Sequence, residues 1–156
     1  MAPLVDEVGL EAWRDFLRAH AAVIAGIEGD LARKGLVPLI WYDVLVAIRS
    51  APGGKLRMNA LAGELVLTRS GATRLVDKLE KARLVRRTVA AEDRRGAVAT
   101  LTPAGRRALS RAWPIYARGI NERFLAQLTE GEIDALGRGL SRVWQSARRP
   151  TAQQAD

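Results

Sequence analysis

Along residues 10–33, Trp13, Leu17, His20, Ile24, Ile27 and Leu31 recur at alternating spacings of four and three. This is the heptad-like stripe of a long helix, and it calls for a partner helix in this chain or in a second copy. Arg33 and Lys34 followed by Gly35 mark its end. Pro38 opens a helix over Leu39 to Ser50. Leu39, Ile40, Trp41, Val44, Leu45, Ala47 and Ile48 make it apolar on most sides, hence central and buried. Ala51-Pro52-Gly53-Gly54 breaks it, and a short helix over Arg57 to Val66 turns Met58, Leu61, Ala62 and Leu65 inward.

The next helix runs from an N-cap at Thr68 to Lys81, with Leu67 and Ala72 placed as a weak staple. Ala72, Leu75, Val76 and Leu79 line one face. Ser70, Arg74, Asp77 and Lys81 take the opposite side, flanked by Thr73 and Lys78. Two short helices with a tight link, the second with a polar and cationic outer face, fit a helix-turn-helix. That face suits insertion of the helix N-terminal end into a DNA major groove. A plain solvated face is the alternative for such a helix taken alone.

After Lys81 the period changes. Leu84–Val89 and Ala97–Leu101 are short, β-branched runs, joined by a loop over Ala90–Gly96 that carries Asp93, Arg94 and Arg95 at its tip. A two-stranded ribbon directly after a recognition-type helix is a wing. Asp93 could hold one guanidinium while Arg95 points outward, towards a minor groove whose negative potential favours it. The alternative is an exposed turn with a weak surface ion pair.

Thr102-Pro103 starts a helix to about Gln127, with Leu109, Trp113, Tyr116, Ile120 and Phe124 on one face and a kink predicted at Pro114. Thr129-Glu130-Gly131-Glu132 is a capping box. The last helix turns Ile133, Leu136, Leu140, Val143 and Trp144 inward. The expected fold is therefore mainly α with a small β-hairpin wing: one domain over 1–150. Its winged helix-turn-helix lobe covers about 38–102 and its flanking helices about 10–33 and 103–147, with a loose tail at 150–156.

Charge sharpens the picture. Residues 55–107 hold 13 Lys and Arg against 5 Asp and Glu, which is the whole formal excess of +8; the remainder holds 12 of each. Such a focus attracts polyanions and gives salt-dependent binding by counterion release. A membrane surface would want free apolar residues opposite the charges, and here those faces serve the core. Apolar runs such as Val37 to Tyr42 are far below the ~20 residues of a span. Asp6, Glu7 and Glu11 stand near the N-terminus, where a signal peptide would be basic. Cytoplasm is the default location. The chain has no cysteine, which excludes disulfides and thiolate metal sites. With a single histidine, no Gly-rich phosphate loop and no catalytic carboxylate spacing, neither a catalytic site, a metal site nor a cofactor is expected. His20 lies on the first stripe, where a packed core histidine is the ordinary outcome.

In order of elements and in local strings the chain resembles the MarR family of bacterial transcription regulators. The strings are Leu61-Ala62, Arg74-Leu75-Val76-Asp77-Lys78-Leu79-Glu80, Leu84-Val85-Arg86-Arg87, Asp93-Arg94-Arg95 and Leu101-Thr102-Pro103-Ala104-Gly105-Arg106. The resemblance covers roughly residues 10–147. It implies a homodimer built from the terminal helices, which binds an inverted repeat in double-stranded DNA, blocks transcription and in many members is released by a small aromatic or phenolic ligand. By family position Ser70, Thr73 and Arg74 would meet base edges, with Thr68 and Arg69 near phosphates. Arg95 would enter the minor groove, positioned by Asp93, with Lys78 and Arg94 as further DNA-facing cations. Trp13, His20, Trp41, Tyr42, Trp113 and Tyr116 are candidates for an effector pocket, or else plain core. The peroxide-sensing branch needs a cysteine near the first helix, so redox control by that route is out. The competing function is a winged-helix module that binds protein, or coats DNA without sequence choice.

Overall fold

The computed structural model describes residues 4–65, 69–90 and 93–147, without the side chains of residues 62, 64, 69, 89, 90 and 93–96. Helix α1 (Glu7–Arg33) starts where Asp6 Oδ1 accepts the Gly9 N–H at 2.7 Å. It is followed by α2 (Leu39–Ser50), strand β1 (Lys55–Arg57), α3 (Met58–Glu64) and α4 (Arg69–Lys81). Strands β2 (Val85–Ala90) and β3 (Asp93–Leu101) lead into α5 (Pro103–Arg123) and α6 (Glu130–Ala147). Among the described residues no helix is long and apolar enough to cross a membrane.

The mainly helical winged fold is as expected, with one added strand. β1 pairs antiparallel with β3, so the sheet order is β1-β3-β2 rather than a two-stranded ribbon. The ribbon is also longer than predicted: β2 reaches Ala90 and β3 already begins at Asp93, with a register irregularity after Val89. Residues assigned to a loop are thus strand, because cross-strand bonding carries the pairing past the β-branched positions that announced it. Helix α5 continues through Pro114 but ends at Arg123, and a short 3-10 turn over Leu125–Gln127 takes the residues predicted as its last turn.

The core lies where α2 crosses the lobe. Val44, Leu45 and Ile48 are fully buried among Leu61 of α3, Val76 and Leu79 of α4, Val85 of β2 and Leu109 of α5. Glu28 of α1 serves the start of α2, since Pro38 offers no side-chain cap: Glu28 Oε1 accepts the Leu39 N–H at 3.0 Å. Helix α5 also presses on α1. A Cβ on Gly119 would stand 2.6 Å from Ile27 Cγ1, and Gly26 lies beneath the Arg123 guanidinium. Arg123 Nη1 then reaches Asp30 Oδ2 at 2.8 Å, and Arg33 bonds the other oxygen of that buried carboxylate.

Two helices end in the same way. In α1 the Gly35 N–H bonds Ala32 O and the Leu36 N–H bonds Leu31 O; in α4 the Arg83 N–H bonds Glu80 O and the Leu84 N–H bonds Leu79 O. This Schellman closure needs a left-handed residue, which is Gly35 at φ +61° in α1 but Arg83 at φ +60° in α4. A side chain in that region costs about 1–2 kcal/mol, partly offset by its smaller entropy loss on folding compared with glycine. Arg83→Gly is therefore expected to raise the stability by ~0.5–1 kcal/mol in denaturant unfolding.

The terminal helices depart from expectation in their burial. The α1 stripe is buried at Ile27 and Leu31, whereas Trp13 is 56% exposed and His20 is exposed too, not packed in a core. Helix α6 has no buried residue, and Ile133, Leu136, Leu140, Val143 and Trp144 all face outward from this chain. Periodicity defined these faces correctly, but the described residues leave them partly exposed.

Candidate nucleic-acid interface

Helix α4 is amphipathic in the predicted sense. Ala72, Val76 and Leu79 are fully buried with Leu75 packed beside them, while Ser70, Thr73, Arg74, Lys78 and Lys81 are exposed. Arg74 makes no hydrogen bond or ion pair with any described residue. Ser70, Arg74 and Lys81 therefore share one open face, with Thr73 and Lys78 at its flanks. The predicted cap at Thr68 and its staple at Leu67 lie outside the described residues. So do the side chains of Arg69, Asp93, Arg94 and Arg95, and with them the predicted pairing at the wing tip.

Asp77 does not join the open face as predicted. Arg87 of β2 reaches across to α4, placing Nη2 2.7 Å from Asp77 Oδ1 and 2.7 Å from Glu80 Oε2, and Nε 2.8 Å from that same Glu80 oxygen. The Arg87 backbone N–H also donates to Glu80 Oε1 at 3.1 Å. The wing is thereby clasped to α4 through both oxygens of Glu80. Two carboxylates that would repel phosphates carry a fixed counter-charge. Sequence reading missed this clasp because it depends on the Arg83 turn, which brings β2 back along α4.

The Arg87 hydrogen bonds, backbone first and then side chain, hold the Glu80 carboxyl below its ordinary pKa, and Glu80 in turn holds the Arg87 guanidinium higher. A carboxyl whose folded pKa lies below its unfolded value of about 4.3 adds stability that is complete above that value. The contribution is lost as pH falls through the depressed folded pKa. Wild type is accordingly expected to exceed Glu80→Gln in melting temperature at neutral pH and to converge with it in acid; a constant difference down to low pH would exclude the clasp as its source.

The six aromatic candidates fall into separate groups. Tyr42 and Tyr116 meet edge-on at 5.0 Å, and Trp113 stands 6.3 Å from Tyr116. Trp13 and His20 instead flank Phe16 on the exposed part of α1, at 5.9 and 6.3 Å. Trp41 is partly buried against the core. The structure thus unites three of the six. Beside the tyrosine pair, burial and then the nearby Glu28 charge raise the Asp43 carboxyl pKa. Burial likewise raises both phenols, with Asp43 adding to the effect.

Comparison with known proteins places this geometry. Residues 30–96 match the model of the MarR family, a span that includes α2, β1, α3, α4 and β2. No curated protein sequence matches the chain. Among solved structures, Sco3205, a MarR family transcriptional regulator from Streptomyces coelicolor in complex with DNA, superposes with a TM-score of 0.86 at 27% identity, covering 97% of this chain and 94% of that one. AbsC, a MarR family transcriptional regulator from the same organism, gives 0.86 at 25% identity, covering 94% and 99%. The transcriptional repressor CouR, bound to a 23-mer DNA duplex, gives 0.73 at 27% identity, covering 86% and 90%.

Proposed function

We propose, from the premise that this chain belongs to the MarR family of winged-helix, DNA-binding transcriptional regulators, that it acts in the cytoplasm as a homodimeric repressor on an inverted-repeat operator. The observation that carries the reading is the outer surface of α4, where Ser70, Thr73, Arg74 and Lys78 stand exposed over a fully buried apolar face. In a dimer two such helices would lie about 34 Å apart, one turn of the duplex. Arg69, Thr68 and the wing residues Asp93, Arg94 and Arg95 complete the proposed contact set, with phosphate contacts supplying affinity and Arg74 reading a base. The DNA seen with Sco3205 and CouR belongs to those proteins; it supports the same use of this lobe here.

Selection of duplexes from a random pool by the purified protein should return a palindromic consensus. Arg74→Ala should then cost ~1–3 kcal/mol on that site, as measured by fluorescence anisotropy, and much less on scrambled DNA. An equal loss on both would make Arg74 a phosphate contact only, and a pool without a consensus would favour the non-specific module.

The Tyr42–Tyr116 edge contact beside Trp113 supports a second element, release by a small aromatic ligand. Asp43 near the tyrosines disfavours a carboxylate there, so neutral phenols should displace DNA more effectively than aromatic acids. Such release requires the ligand to prefer a dimer geometry that does not fit DNA.

A further inference from the structure

We infer that the outer face of the three-stranded sheet is a second DNA-binding surface, which takes the phosphate backbone of the duplex beyond the wing. The register sets Lys55 and Arg86 on either side of Thr100, and Arg57 and Thr88 on either side of Val98. Side chains opposite one another across an antiparallel sheet share a face. These six positions therefore form one surface, while Leu56, Ala99, Val85 and Arg87 form the other, turned towards the helices. Lys55, Arg57, Arg86 and Thr88 are exposed. The six positions hold three cations, two hydroxyls and no acid.

The cations of the positive third divide among several surfaces. The proposed helix and wing contacts use Arg69, Arg74, Lys78, Arg94 and Arg95, and Arg87 is held by Asp77 and Glu80. Lys55 and Arg86 belong to neither group and lie on this face, while Lys81, Arg83, Arg106 and Arg107, which also belong to neither, lie off the sheet. Lys55 and Arg86 are two strand spacings apart, about 10 Å, a separation that follows a phosphate run rather than gripping one small anion. Because this face looks away from the side on which α4 packs, a duplex held by helix and wing tip would meet it only in its flank. There the DNA would curve around the wing, and the added phosphate contacts would offset the bending cost.

The inference rests on the proposed operator binding, so its test compares two lengths of the pool-selected site: a ~20-base-pair duplex, and one of ~40 base pairs with the same centre and random flanks. Wild type should bind the longer about tenfold more tightly near 0.1 M salt, with a salt slope steeper by about two to three per protomer. Lys55→Gln/Arg57→Gln/Arg86→Gln should match wild type on the short duplex and lose the length effect, whereas Lys55→Arg/Arg57→Lys/Arg86→Lys keeps it. Equal binding of both lengths by wild type would overturn the inference without recourse to any variant; the cations would then serve only to guard exposed strand edges against pairing. A length effect that survives the neutral variant, or an equal loss on both duplexes, would overturn it too. Failure of wild type to select any short site would instead remove the operator reading and this one together.

Discussion

Gly105→Ala is expected to lower the stability by about 3 kcal/mol, the upper range for an overpacked core position, although it replaces a helical glycine by the best helix former. Elsewhere in a helix that exchange would stabilise by up to ~1 kcal/mol. Gly105 is buried in the first turn of α5, and a methyl group there would overlap the Leu84 carbonyl oxygen. That oxygen has no room to retreat, because it accepts the Thr102 N–H at 3.1 Å and lies 3.1 Å from Thr102 Oγ1. The threonine hydroxyl also reaches the Arg83 carbonyl at 2.7 Å and accepts the Gly105 N–H at 3.0 Å, capping α5. One knot thus joins the end of α4, the start of β2 and the start of α5, and it explains why a Leu-Thr-x-x-Gly string follows the wing. Denaturant unfolding of the variant would check the figure. A change within ~0.5 kcal/mol of wild type, the usual span of a neutral surface substitution, would mean that α5 slides freely over Leu84.

Leu136→Asp combined with Leu140→Asp is expected to split the proposed dimer into monomers and to weaken binding to the proposed operator by 10²-fold or more, about the avidity lost when two linked contacts become one. The helix that carries them has no buried residue in this chain, so the charges should leave the winged lobe folded. Ile133, Val143 and Trp144 extend the same open apolar row, and Trp13 and Leu17 expose another on α1. Rows of this extent on a water-facing surface call for a partner. Sedimentation and circular dichroism together test the claim: a dimer that survives both aspartates would move the interface elsewhere, most directly to α1.

Spacing alone identified the helices and their apolar faces, and on α4 it separated the buried Ala72, Val76 and Leu79 from the exposed Arg74 correctly. Local signals also read true at Thr102 and in the Thr129–Glu132 capping box, whose backbone and side-chain bonds are both made. Burial of the terminal stripes was not legible, because a periodic face reveals that it wants covering but not by what. Strand β1 escaped notice for another reason. Lys55-Leu56-Arg57 is too short to show alternation, and its pairing with Val98–Thr100 is a contact across more than forty residues. The same holds for Arg87, whose partners Asp77 and Glu80 become neighbours only once the chain reverses at Arg83. Of the candidate interface, then, the helix face could be read from one segment, while the clasp and the sheet face depended on which segments fold together.

Helix α1 is about 40 Å long, yet only its C-terminal part is fixed in the lobe, by Ile27, Leu31 and the Asp30–Arg123 pair. Mechanically it is a cantilever. A tilt of ~5° at that root moves Trp13, some ~20 Å away, by ~2 Å; with the tip clamped in a second copy, the same tilt swings the lobe instead. The close approach of the two rods at Gly119, where a Cβ would stand 2.6 Å from Ile27 Cγ1, sets the angle of that root, so a side chain added there would change the reach of the whole arm.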